Sequence, residues 1–122
     1  MRIVSEEEFK KRIKELLSEE RFAVCGCVMG PGRSGAIAAV YASHLLAIPF
    51  LPYGTLPPAK LGRLLIIDTA IESGATLARA IKRYGDEAVV VACYNEPPRV
   101  AFWYEAPKPQ RYKHDRPMRT LP

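Results

Sequence analysis

The sequence predicts an α/β protein in three layers, α/β/α, with helices on both faces of a mostly parallel sheet of four to five strands. Three observations predict it. Apolar runs over residues 22–29, 64–67 and 88–94 are continuous rather than alternating, as in strands covered on both faces. Helical patterns separate these runs, and strands that alternate with helices imply crossovers and parallel pairing. Two of the strands also run straight into glycine-rich turns that open helices.

In chain order, Ser5-Glu6-Glu7-Glu8 forms a capping box, Val4 and Phe9 stand where a hydrophobic staple puts them, and Phe9, Ile13, Leu16 and Leu17 make one apolar stripe. A helix over 5–19 follows from them. Residues 22–29 read as a buried strand that ends at Gly30, and Gly30-Pro31-Gly32-Arg33-Ser34-Gly35 reads as a loop before an alanine-rich helix over 36–46. Residues 48–53 read as a short or edge strand because Pro49 and Pro52 cannot donate to a ladder. A loop from Gly54 to Gly62 leads to the strand Leu64–Ile67, with Asp68 at its carboxyl end. Thr76–Tyr84 reads as a helix closed by Gly85, residues 88–94 as a further buried strand, and Val100–Tyr104 as an added edge strand.

The chain of 122 residues is read as one domain over 1–122: the helix 5–19, an α/β core over 22–94, and a basic, proline-rich segment over 97–122 that can build a hood. Charged residues make up 25% and hydrophobic residues 48%, within the range of ordinary globular domains, and no apolar run approaches the roughly 20 residues of a membrane span. The residues after Met1 lack the apolar stretch of a signal peptide, so the expected location is the cytoplasm. Cys25, Cys27 and Cys93 fall in buried strands without a CxxC pair, Cys25 and Cys27 on one strand face, and are read as small core residues. The net charge of +5 gathers in residues 97–122, where Arg99, Lys108, Arg111, Lys113, Arg116 and Arg119 outnumber Glu105 and Asp115. Such a field steers polyanionic substrates, and no nucleic-acid-binding motif accompanies it.

The chemistry concentrates in two segments. Ser73, Gly74, Ala75 and Thr76 offer backbone N–H groups and two hydroxyls at a helix start, where the dipole favours an anion, beside the Asp68 carboxylate. An acid beside an anion cradle points to a sugar phosphate. The Gly30–Gly35 segment lacks the Lys-Ser/Thr ending of a Walker loop and does not read GxGxxG.

Leu65-Ile66-Ile67-Asp68-Thr69-Ala70-Ile71-Glu72-Ser73-Gly74-Ala75-Thr76 resembles the fingerprint of the type I phosphoribosyltransferases, and Val28 to Ala39, continuing to Pro49, is similar to that family's pyrophosphate loop, helix and short strand. The resemblance covers about residues 22–94. It implies binding of 5-phosphoribosyl 1-pyrophosphate and transfer of its ribose phosphate to a nitrogenous, purine-like base, with pyrophosphate released. It further implies that Ser73, Gly74, Ala75 and Thr76 hold the 5′-phosphate, that Asp68 accepts from the ribose hydroxyls, and that Gly32, Arg33 and Ser34 hold the pyrophosphate. Magnesium enters with the substrate oxygens and has no protein ligand set of its own. Arg33 stabilises the leaving anion, and Glu72 stands where some purine-specific members keep a base-facing acid. Thr69 replaces the second acid of the fingerprint, offering a hydroxyl to the ribose in place of a carboxylate. A homodimer is expected by the same resemblance.

Around the site, Gly54–Gly62 is short for the family's mobile loop, Lys60 is read as an exposed linker residue in preference to a phosphate contact, and Phe102, Trp103 and Tyr104 as core packing or a platform for a base. His44 is read as structural and His114 as a tail residue. A second reading is a non-catalytic regulatory relative that binds phosphoribosyl pyrophosphate or a nucleotide and touches nucleic acid through its basic tail.

Overall fold

The computed structural model describes residues 2–71, 74–85, 87–95 and 100–105 of the 122. Its elements in order are β1 (Ile3–Val4), α1 (Glu6–Leu17), β2 (Cys25–Met29), α2 (Gly32–Leu46), β3 (Arg63–Ala70), α3 (Ala75–Tyr84), β4 (Val89–Tyr94) and β5 (Ala101–Phe102). Ser5 caps α1 as expected, its hydroxyl accepting from the Glu8 N–H at 3.1 Å.

The central sheet is parallel in the order β2-β3-β4. On its β2 side the segment predicted as a strand over 48–53 makes only a bridge between Val28 and Phe50, with the Val28 N–H donating to the Pro49 carbonyl and the Leu51 N–H to the Val28 carbonyl. Groups that face β2 alternate along this segment, so Pro49, two residues before Leu51, removes a donor on that side, which keeps the piece from lengthening into a full strand toward its amino end. Successive side chains of the sheet divide between two cores. Val28, Leu65, Ile67 and Cys93 pack with Phe9, Ile13, Ala38 and Ala42 of α1 and α2, whereas Cys27, Met29, Leu64 and Ile66 pack with Ala80 of α3. Helices therefore lie on both faces, and the three-layer α/β/α architecture is the one observed.

Several boundaries differ from the sequence reading. Phe22 lies in a 3-10 turn over Glu20–Phe22, so β2 starts at Cys25. The register shifts between Cys25 and Cys27, and the two thiols enter opposite cores rather than one face. The bulge stands at Gly26, where a Cβ would lie 1.6 Å from the Leu61 carbonyl oxygen. α2 begins at Gly32, four residues earlier than predicted, so Arg33, Ser34 and Gly35 belong to its first turn rather than to a loop. The edge strand expected over 100–104 shortens to Ala101–Phe102 and pairs in parallel with β1 instead of joining the central sheet. The sheet among the described residues is thus three strands and a bridge, with a separate two-stranded ladder, against the four to five strands expected of one sheet.

That ladder is tied by the Ala101 N–H on the Arg2 carbonyl at 2.9 Å and the Trp103 N–H on the Val4 carbonyl at 3.0 Å. It buries Phe102, which meets Phe9 at 6.1 Å and Tyr94 at 5.7 Å between ring centroids. Among the described residues no helix is long and apolar enough to cross a membrane.

Candidate functional site

The connections out of β2 and β3 leave in opposite directions. β2 runs into α2 on one face and on to the bridge strand at Phe50, while β3 runs into α3 on the other face and on to β4. Adjacent parallel strands whose helices diverge in this way leave a crevice at their carboxyl ends, where open α/β sheets bind ligands.

On the α2 side, a very close approach shapes the entry. A Cβ on Gly30 would sit 1.9 Å from the Gly35 carbonyl oxygen and 2.7 Å from that of Ile67. Only glycine lets the end of β2 lie against both the helix and β3. Pro31 serves as N-cap without a side-chain hydrogen bond, Gly32 takes φ of 69°, and the Gly35 N–H is the first to bond back, to the Pro31 carbonyl at 3.1 Å. The amides of Gly32, Arg33 and Ser34 lie ahead of that bond at the positive end of the helix, and no acidic side chain stands in its first turn. Arg33 is exposed there.

On the α3 side, Gly74 is the N-cap with φ of 82°, again without a side-chain cap, and the first return bond runs from the Ala78 N–H to the Gly74 carbonyl at 3.0 Å. Ala75 and Thr76 are exposed in a first turn that carries no acidic side chain. Glu72 and Ser73 lie outside the described residues, as do residues 106–122 with His114 and most of the expected hood.

Between the two helix starts stands Asp68. Met29 is paired with Ile66, so Asp68 projects two residues past the last β2 partner, half-buried, with Oδ1 accepting from the Thr69 N–H at 2.7 Å. Thr69 does otherwise: it is buried, 1% exposed, two residues past Ile67 on the α1 and α2 side. Buried there, Thr69 contrasts with its half-buried neighbour Asp68.

Position agrees with the reading of Lys60 as an exposed linker residue and keeps His44 away from both helix starts. Lys60 lies in a 3-10 turn just before Arg63, at the amino end of β3, and the eight residues of that strand, about 26 Å at about 3.3 Å per residue, separate it from the crevice. The Gly54–Gly62 loop is tied to the far end of α3: Tyr84 Oη accepts from the Gly54 N–H and donates to the Thr55 carbonyl, and Arg83 donates to the Gly54 carbonyl. His44 is exposed on the last turn of α2, remote from both helix starts and not a core residue.

Tyr104 was legible only as an aromatic, yet its hydroxyl lies 2.9 Å from Ser34 Oγ in the first turn of α2. Nothing in the local sequence signals a contact 70 residues apart. Phe102 and Trp103 pack on Phe9 and are core residues. A second cleft, of about 210 Å³, opens at the carboxyl end of β4 between Arg2, Glu8, Lys11, Arg12, Glu15 and Tyr94. There Arg12 Nε donates to the Cys93 carbonyl at 2.8 Å, its guanidinium 5.1 Å from the Tyr94 ring centroid. Burial, then the nearby Glu8, pushes the Tyr94 phenol up to about 12, so it is a neutral hydroxyl near pH 7.

No family model and no curated sequence matches the chain. Solved structures do. A purine phosphoribosyltransferase from Pyrococcus horikoshii Ot3 matches at 20% identity over 84% of this chain and 93% of its own, with a TM-score of 0.64. The Helicobacter pylori xanthine-guanine-hypoxanthine phosphoribosyltransferase matches at 15% identity over 86% and 92%, with a TM-score of 0.69. A Neisseria gonorrhoeae protein solved with bound ppGpp matches at 14% identity over 93% and 94%, with a TM-score of 0.67. The strand order, the divergent helices and these superpositions agree on one architecture: the chain has the type I phosphoribosyltransferase fold.

Proposed function

We propose that the protein transfers ribose 5-phosphate from 5-phosphoribosyl 1-pyrophosphate to a ring nitrogen of a purine-like base, at the carboxyl edge of β2 and β3. The observation that carries the reading is the pair of helix starts, at Gly32 and at Ala75, that diverge on either side of Asp68 with no acidic side chain in either first turn. Gly74, Ala75 and Thr76, with Ser73, hold the 5′-phosphate, and Gly32, Arg33 and Ser34 hold the pyrophosphate through amides, guanidinium and hydroxyl. Asp68 accepts from the ribose hydroxyls. The bond from the sugar C1 to pyrophosphate breaks with its electron pair leaving on the pyrophosphate, and the base nitrogen closes the new bond as Glu72 takes the released proton. Such a transition state has oxocarbenium character, so stabilising the leaving anion matters more than a protein nucleophile.

Among the described residues no three His, Cys, Asp or Glu side chains gather into a metal site. Magnesium is assigned to the substrate because hard phosphate and ribose oxygens suit it, with the Asp68 carboxylate the described group of matching chemistry in the crevice. When bound, the ion offsets charge on the pyrophosphate. The reading carries with it a cytoplasmic location and a homodimer.

The Neisseria gonorrhoeae neighbour favours a second reading, in which the chain binds a nucleotide carrying two diphosphate groups and catalyses nothing. One experiment separates the two. Calorimetry with phosphoribosyl pyrophosphate and with ppGpp, followed by pyrophosphate release over a panel of purine and pyrimidine bases with magnesium, is expected to show sugar-phosphate binding and turnover with at least one base. Binding of ppGpp without turnover on any base selects the second reading.

A further inference from the structure

We infer that Tyr104 is a positioning residue of the pyrophosphate subsite, acting through Ser34. The inference rests on the phosphoribosyl pyrophosphate reading above and adds to it a residue from outside the α/β core. Tyr104 Oη and Ser34 Oγ lie 2.9 Å apart, and Ser34 stands in the first turn of α2, ahead of the first return hydrogen bond.

The tyrosine is held by more than its own side chain. Its ring stacks on Phe102 with centroids 5.6 Å apart and planes 6° from parallel, and the edge of Trp103 meets it at 4.9 Å. Phe102 is fully buried, its N–H donates to Glu105 Oε1, and the Glu105 N–H returns to the Phe102 carbonyl. The backbone on either side is fixed to β1 through Ala101 and Trp103. A preassembled aromatic unit thus delivers one hydroxyl to the helix start.

A hydroxyl pair can order its protons in two ways. If Ser34 donates to Tyr104, the serine proton is spent within the protein. If Tyr104 donates to Ser34, the serine oxygen has its partner and its own proton points outward. The phenol is the more acidic donor, and an arriving phosphate accepts only, so the ligand selects the second order. Ser34 then meets the anion with its rotamer already set, which lowers the cost of ordering it on binding.

The test uses the full chain and two probes, inorganic pyrophosphate with magnesium and phosphoribosyl pyrophosphate, titrated by calorimetry. Tyr104→Phe keeps the ring stack and removes the hydroxyl. It is expected to weaken both probes about threefold to tenfold, the range of one hydrogen bond, with an unchanged thermal midpoint. Ser34→Ala is expected to weaken them at least as much, and the double variant no further than Ser34→Ala, because the tyrosine acts through the serine. Ser34→Thr, which retains the hydroxyl, is expected to retain the effect of Tyr104→Phe. Unchanged or tighter binding by Tyr104→Phe overturns the inference and leaves the phosphoribosyl pyrophosphate reading standing, as does full additivity in the double variant. Failure of the unaltered protein to bind either probe overturns both.

Discussion

Asp68 and Thr69 are neighbours with opposite surroundings, because a strand sends successive side chains to opposite faces. Asp68 is half-buried at the crevice, and Thr69 is sealed under the α1 and α2 side. Asp68→Asn is expected to raise the dissociation constant for phosphoribosyl pyrophosphate by about tenfold or more, the scale of hydrogen bonds to a charged acceptor, as read by calorimetry. Equal affinity would remove Asp68 from the ribose. The place of Asp68 near the carboxyl end of β3 was legible, because the apolar run stops at it. The inward turn of Thr69 was not, since it depends on which layer covers each face. Cys93 offers a separate check. Burial pushes its thiol up to about 12, with Asp68 adding to the shift and Arg12 opposing it. Above about pH 9 the unfolded thiol loses its proton while the folded one keeps it, so rising pH favours unfolding. Urea melts from pH 8 to 11 are expected to show stability falling from pH 9 upward by up to about 1.4 kcal/mol per pH unit for this group, with the slope reduced in Cys93→Ala.

At the scale of elements, the turn from β2 into α2 is the piece that tolerates least. Adding a methyl group to Gly30 drives it into the backbone oxygens of Gly35 and Ile67, neither of which can swing away. Gly30→Ala is expected to cost about 3 kcal/mol or more, at the top of the range for overpacked sites, and to lower the thermal midpoint markedly. A midpoint within a degree or two of the unaltered protein would mean that the strand end does not lie against the helix. Helices and buried strands were readable from periodicity, capping residues and small-residue content: α1, α3 and β4 stand within two residues of their predicted ends. Failures came where a neighbour decides. The bulge at Gly26 exists because the Leu61 carbonyl comes within contact of it, and α2 gains its first turn because Gly35 packs on Gly30. A glycine-rich run looks the same in sequence whether it forms a loop or a helix start.

For the whole molecule, the crevice comes from the order of connections rather than from any one motif. The parallel sheet with helices on both faces was legible. The divergence of α2 and α3 from adjacent strands required knowing that the Phe50 segment lies beside β2. The β1 and β5 ladder was not legible at all, since two residues carry no periodic signal. Phe102 ties that ladder to Phe9 and Tyr94. Phe102→Ala is expected to cost about 3–5 kcal/mol and to abolish hydrogen-exchange protection of the Ala101 and Trp103 amides before that of β3. Protection lost equally everywhere would show that the ladder and the sheet open as one unit.

The same ladder determines how the protein answers a pull. β1 and β5 run parallel, so tension drawn on the chain before Ile3 and after Phe102 runs along the seam in opposite senses. The bonds from Ala101 to Arg2 and from Trp103 to Val4 must then stretch together instead of opening one after the other. A pull from beyond residue 105 loads the Tyr104 to Ser34 hydrogen bond together with this short seam, so the first turn of α2 feels the force along with the ladder.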